Sequence, residues 1–149
     1  MTKSRPGREY PDRPWVGIGA IVFRGQDVLL VRRGRPPRLG GWSLPGGAQR
    51  LGEPAEVAAR REVLEETGVE VGPLSLAAVV DGVTRDEAGL VRFHYTIVDY
   101  CGAWAGGEAR PGDDVTEVAW AAPGALQGFE LTPEALEVIA RARDILKVF

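Results

Sequence analysis

The sequence predicts one mixed α+β domain on three observations. Apolar runs rich in β-branched residues recur at strand length, one helix pattern is inserted among them, and an amphipathic pattern closes the chain. A length of 149 residues suffices for one hydrophobic core and is short for two, which predicts a single domain over 14–149 behind a polar tail at 1–13.

The first strand is Trp15 to Phe23, closed by a turn at Arg24-Gly-Gln-Asp27, and the apolar run Val28 to Val31 should pair with it. From Arg32 to Gly47 the chain is crowded with Gly, Pro and Arg, which supports a cationic loop. Ala55 to Thr67 is dense in Ala, Glu, Arg and Leu, with Pro54 at a helix-starting position and Gly68 just past the end, and reads as a helix. Strand character returns over Val69 to Val83 and Leu90 to Tyr100, with Asp86 to Gly89 as the turn of a hairpin. A polar, Gly-rich segment from Gly106 to Asp114 leads to a short strand at Glu117 to Trp120. Thr132 then caps a closing helix reaching about Leu146, with Glu134 and Glu137 near its start.

A net charge of −3 gives no whole-molecule attraction to a nucleic acid polymer or a membrane, so any polyanion must be met locally. No apolar run is long enough to span a bilayer, and the tail, with Lys3, Arg5, Arg8 and Arg13, lacks the apolar centre of a signal peptide. Cys101 is the one cysteine, which excludes an intrachain disulfide and fits a reducing, cytoplasmic compartment.

The chemistry concentrates between Gly47 and Val69. On a helix, Glu62 shares a face with Glu65 and Glu66, so three like charges converge. A hard divalent cation removes that repulsion by taking carboxylate oxygens while keeping other positions for water and phosphate. The plain alternative is a solvated helix face with an Arg61–Glu65 ion pair. The full spacing decides between them: G-x5-E-x7-R-E-U-x-E-E-x-G-U, with U aliphatic, is satisfied at every fixed position from Gly47 through Glu53 to Val69. With average residue usage the chance of that in such a chain is on the order of 10⁻⁸.

This block resembles the Nudix box, and the order of elements around it is similar to the Nudix fold, an α/β/α sandwich around a mixed sheet. The resemblance implies hydrolysis of a nucleoside diphosphate linked to another group, dependent on Mg²⁺ with Mn²⁺ as a substitute. It implies Glu65, Glu66 and the backbone carbonyl of Gly46 as metal ligands, and Glu62 as a further ligand or the group that activates water. Arg61 would orient a glutamate. Glu53 is either another ligand or a residue favouring the positive end of the following helix. In some members a carboxylate from a later loop is base or ligand; Asp113, Asp114 and Glu117 lie in a suitable segment, and Glu117 is the expected one.

Arg32, Arg33, Arg35 and Arg38 precede the box, and guanidinium forks suit phosphate oxygens. Arg33, Arg35 and Arg38 are the candidate substrate-binding residues. Trp42 is read as a core anchor of the loop; Tyr10 and Trp15 are better placed than Trp42 to stack on a base, although core packing is the leading reading for both. His94, in a strand between Phe93 and Tyr95, is read as structural.

The stretch from Arg33 to Gly47 looks like that of members grouped as ADP-ribose pyrophosphatases, with AMP and ribose 5-phosphate as products. Alternatives are a (deoxy)nucleoside triphosphate pyrophosphohydrolase, including one acting on oxidised nucleotides, a dinucleotide hydrolase, and a non-catalytic nucleotide-binding module. Many proteins it resembles are dimers, so the resemblance leaves a homodimer open without identifying its surface.

Overall fold

The computed structural model describes residues 8–36 and 38–149, so the first half of the expected tail, with Lys3 and Arg5, lies outside the described residues. In chain order the elements are β1 (Trp15–Arg24), β2 (Asp27–Arg33), β3 (Trp42–Ser43), β4 (Gly46–Ala48), α1 (Ala55–Thr67), β5 (Glu70–Val71), β6 (Ser75–Arg85), β7 (Val91–Gly106), β8 (Val115–Ala121), a 3₁₀ helix (Pro123–Phe129) and α2 (Pro133–Leu146).

β1 forms the middle of the sheet because both of its faces are apolar. Ile21 and Phe23 are buried on the side covered by α2, with Val138, Ile139 and Ala142. Ala20 and Val22 pack on the other side with Val63 of α1, and Ile18 with Ala58 and Ala59 of α1. Alternate residues of one strand thus bind two helices, which produces the α/β/α layering.

β7 runs parallel to β1 along Trp15–Phe23, and β6 pairs antiparallel with the other edge of β7, giving the expected hairpin. The opposite edge of β1 is shared: β4 pairs with Gly17–Gly19 and β2 with Phe23–Arg24, both antiparallel. β8 and β3 extend the sheet beyond β2. The loop ahead of α1 enters the sheet through this division of β1, with Ala20 N donating to Pro45 O at 3.0 Å.

Several boundaries differ from the sequence reading. The run expected as one strand from Val69 to Val83 is interrupted after Val71, where Pro73 has no N–H for a ladder. The cationic loop contains β3 and β4, because backbone pairing needs no apolar side chains. Pro54 caps α1 from an extended conformation at φ −61°, ψ 148°, one position ahead of the first helical residue. Residues 9 and 10 of the tail are tied down: Tyr10 N donates to Arg92 O at 2.7 Å, and Glu9 pairs with Arg92 at 2.6 Å. Among the described residues no helix is long and apolar enough to cross a membrane.

Candidate active site

The buried residues of α1 are Ala58, Ala59, Glu62, Val63, Glu66 and Thr67, so two glutamates share the face that an ordinary surface helix fills with apolar groups. Glu62 and Glu66 are 5% and 7% exposed, which removes the solvated-face alternative for both. The helix stops at Gly68, whose left-handed φ of 73° lets its N–H reach Leu64 O at 2.9 Å.

Arg61 organises the acidic side chains. Its Nε donates to Glu53 Oε2 at 2.6 Å and its Nη2 to Glu53 Oε1 at 2.9 Å, a bidentate pair. Nη2 also donates to Ala48 O at 3.2 Å, and Nη1 to Glu62 Oε2 and Glu65 Oε1, each at 3.1 Å. Every guanidinium hydrogen is therefore used. The Arg61 guanidinium holds the Glu53 carboxyl far below its ordinary range, at about 2, aided by the Arg50 N–H.

Glu66 has the opposite environment. Burial pushes its carboxyl up to about 8, against the hydrogen bond of 3.0 Å that Gly46 N donates to Oε1. Glu62 and Asp114 raise it further, and Arg33 opposes them. The glycines of the loop have steric work here: a Cβ at Gly47 would collide with the carboxylate of Glu62, and one at Gly46 with the carbonyl of Ile18.

The segment after β7 folds back onto the end of α1. Arg110 N donates to Thr67 O and Gly112 N to Glu66 O, both at 2.9 Å, and a Cβ at Gly112 would strike Glu65 O. Asp113 follows at φ 51°, a left-handed conformation that a short polar side chain tolerates. Carboxylate oxygens of Glu62, Glu65 and Asp113 consequently lie within 4.8 Å of one another. Acceptor-only oxygens at that separation fit a hard divalent cation.

A cavity of about 490 Å³ adjoins this cluster, its lining including Glu62, Glu66, Arg33, Arg35 and Asp114 and, from β7, Phe93, Tyr95, Ile97 and Asp99. That size accommodates a nucleotide-sized molecule. The model of the NUDIX domain matches residues 13–142. The chain belongs to the Nudix family.

It is 36% identical over 104 residues, 70% of its length and 59% of the relative's, to the ADP-ribose pyrophosphatase of Methanocaldococcus jannaschii. It is 50% identical over 74 residues to the putative 8-oxo-dGTP diphosphatase 2 of Mycobacterium tuberculosis, covering 49% of this chain and 50% of that one. The chain thus spans between half and three fifths of the length of these relatives. Among solved structures, a MutT NUDIX hydrolase from Burkholderia pseudomallei superposes with TM-score 0.76 at 31% identity, covering 87% of this chain and 98% of the other. The NUDIX domain of Shewanella oneidensis NrtR, complexed with ADP ribose, also reaches 0.76 at 25% identity over 91% of this chain and 90% of that one.

The Nudix fold brings together Gly46, Arg61, Glu62, Glu65 and Glu66. Arg33 and Arg35 line the cavity, and Arg35 Nε lies 2.6 Å from Asp114 Oδ2. Burial lowers the pKa of Arg33, with Glu66 and Asp114 opposing the shift. Arg38 instead ties the loop, donating to Trp42 O at 3.1 Å and Glu130 O at 3.4 Å from an exposed position. Glu117 is exposed on β8, ion-paired with Arg32 at 2.7 Å, and Asp113 is the later acidic residue that joins the carboxylates. Backbone contact with α1, rather than distance along the chain, makes that choice.

Trp42 packs edge-on against Phe129 at 5.0 Å, as a core anchor does. Tyr10 donates its hydroxyl to Asp86, and Trp15 lies under Arg8; the aromatic rings lining the cavity are those of Phe93 and Tyr95. His94 does not line the cavity. Asp99, buried among the apolar residues of β7, was not singled out by the sequence reading. An acidic residue inside the run Thr96 to Cys101 is the available signal, because strand cores exclude carboxylates that have no purpose.

Proposed function

We propose that this Nudix domain is a Mg²⁺-dependent pyrophosphohydrolase that splits a nucleoside diphosphate linked to another moiety, with ADP-ribose, cut to AMP and ribose 5-phosphate, as its substrate. The observation that carries this reading is the convergence of Glu62, Glu65 and Asp113 oxygens within 4.8 Å, beside a cavity with Arg33 and Arg35 in its wall. The ADP-ribose pyrophosphatase name of the M. jannaschii relative and the ADP ribose in the S. oneidensis complex support the substrate.

Glu62, Glu65 and Asp113 would hold the metal, with Glu66 and the Gly46 carbonyl as further ligands. A bound Mg²⁺ supplies charge neutralisation at the diphosphate and a more acidic water. Arg61 fixes the carboxylates of Glu62 and Glu65 in place. Arg33 and Arg35 receive phosphate oxygens, and Glu66 holds the Gly46 N–H so that the loop keeps its shape. Water adds to one phosphorus, the anhydride P–O bond breaks, and the other phosphate leaves with the bridging oxygen. A chain with one cysteine needs no oxidising compartment, which supports a cytoplasmic site, and the family resemblance supports a homodimer.

The 50% identity to a putative 8-oxo-dGTP diphosphatase favours a second reading, a nucleoside triphosphate pyrophosphohydrolase. Product analysis with ADP-ribose, NADH, diadenosine polyphosphates and all (deoxy)nucleoside triphosphates, with Mg²⁺ or chelator, separates the two. Metal-dependent formation of AMP and ribose 5-phosphate is the expected result. Selective release of pyrophosphate from a triphosphate overturns the substrate, and no turnover of any compound overturns catalysis.

A further inference from the structure

Asp99 stands in the middle of β7, paired through its backbone with Gly19 of β1 and Ala78 of β6. It is 5% exposed, and its side chain nonetheless lines the cavity. Among the described residues no hydrogen-bond donor or cation reaches it, and burial alone moves its carboxyl up to about 6. A buried carboxylate without a partner is costly. The strand beside it is shaped to keep it there: a Cβ at Gly19 would collide with Asp99 Oδ1, so only glycine leaves the carboxylate room. Tyr95 and Ile97 line the same cavity along β7, and Gly19, which Asp99 faces, pairs with Gly46 of the loop.

Above its pKa a carboxylate only accepts hydrogen bonds, and it repels phosphate. The part of a ligand over Asp99 must then be uncharged and carry donors. We propose that Asp99 is a specificity-determining residue that accepts hydrogen bonds from the donor-bearing, uncharged part of the nucleotide, supplied either by the sugar hydroxyls or by the N–H groups of the base. This rests on the nucleotide-hydrolase reading above and adds to it the group that distinguishes one nucleotide from another.

The test is calorimetric binding of AMP, 2′-deoxy-AMP, purine riboside 5′-monophosphate, GMP, 2′-deoxy-GMP and IMP to the wild type, Asp99→Asn and Asp99→Leu, beside turnover of the substrate panel. The nucleotide bound best by the wild type should lose about tenfold in affinity on Asp99→Leu, with less loss on Asp99→Asn. The analogue lacking the responsible donor should bind the wild type about tenfold more weakly and lose nothing further on substitution. Coupling to the deoxy compounds assigns the sugar; coupling to purine riboside monophosphate or IMP assigns the base. Either substitution should leave the protein folded, with a melting temperature no lower than that of the wild type, since it removes a buried charge. Equal affinity losses for all six nucleotides, no loss at all, or no binding by the wild type would each overturn the proposal. Binding results coupled to Asp99 without any turnover would sink the hydrolase reading alone, and turnover without coupling would sink only the role of Asp99.

Discussion

Glu53 and Glu66 belong to the same sequence block, and their surroundings are opposite. Glu53 meets a bidentate guanidinium and is held ionised, at about 2; Glu66 is desolvated beside other acids and is pushed up to about 8. The contrast separates two jobs that share a residue type. Arg61 satisfies Glu53 within the protein, so that glutamate acts as a brace for the loop and the helix start. Because Arg61 is shared with Glu53, the charge on Glu62, Glu65 and Asp113 exceeds what remains of Arg61 and what Arg50 supplies, and the surplus suits a divalent cation.

The largest expected effect breaks the cation-binding side. Glu65→Gln should lower kcat on the order of 10³-fold with little change in the melting temperature without Mg²⁺. Steady-state kinetics and thermal melts of the same preparation check both halves. Next comes the brace: Arg61→Ala leaves the half-buried Glu53 carboxylate with the Arg50 N–H alone, a loss of about 1–3 kcal/mol, or a melting temperature lower by several degrees. An unchanged melt would mean that the Arg61 network carries no structural load.

A smaller effect sharpens the contrast from the ligand side. Mg²⁺ at one hundred times its Kd should stabilise the wild type by about 2.7 kcal/mol and Glu65→Gln by much less, as denaturant melts with and without chelator would show. The smallest effects are in pH. The Glu53 pKa is depressed, so its contribution is present above the ordinary value of 4.5 and is lost as pH falls towards about 2. The destabilisation caused by Glu53→Gln should therefore be full at neutral pH and vanish across that window. Asp99 has the reverse sign: its pKa is raised from 3.8 to about 6, so its own contribution is most favourable below 3.8 and is lost as pH rises through about 6. Asp99→Asn should raise the melting temperature by a few degrees above that point and leave it alone in acid. Melting curves across pH would reveal an error in either sign.

The helix and its three converging glutamates were easier to read from the sequence than the Arg61–Glu53 brace or the surroundings of the cluster. The helix ends at Ala55 and Thr67 follow from local chemistry, a proline ahead and a glycine behind, and the spacing within one helix puts Glu62 over Glu65 and Glu66. Asp113 was passed over in favour of Glu117 because its position depends on Gly112 N meeting Glu66 O and on a left-handed backbone, neither of which has a period or a composition to read. Likewise β3 and β4 are held by backbone pairing to β2 and β1 in a stretch whose composition reads as loop. Phe93 and Tyr95, rather than Tyr10 and Trp15, line the cavity: Tyr10 is held at Asp86 and Trp15, although paired with Tyr95, lies under Arg8, contacts that leave no pattern in the sequence.

Calorimetric titration of Mg²⁺ into the wild type, Glu53→Gln and Glu65→Gln tests the division between brace and cation site most directly. Glu53→Gln should bind within about threefold of the wild type, and Glu65→Gln should bind at least about tenfold more weakly. Equal weakening by both substitutions, or undiminished binding by Glu65→Gln, would contradict the division.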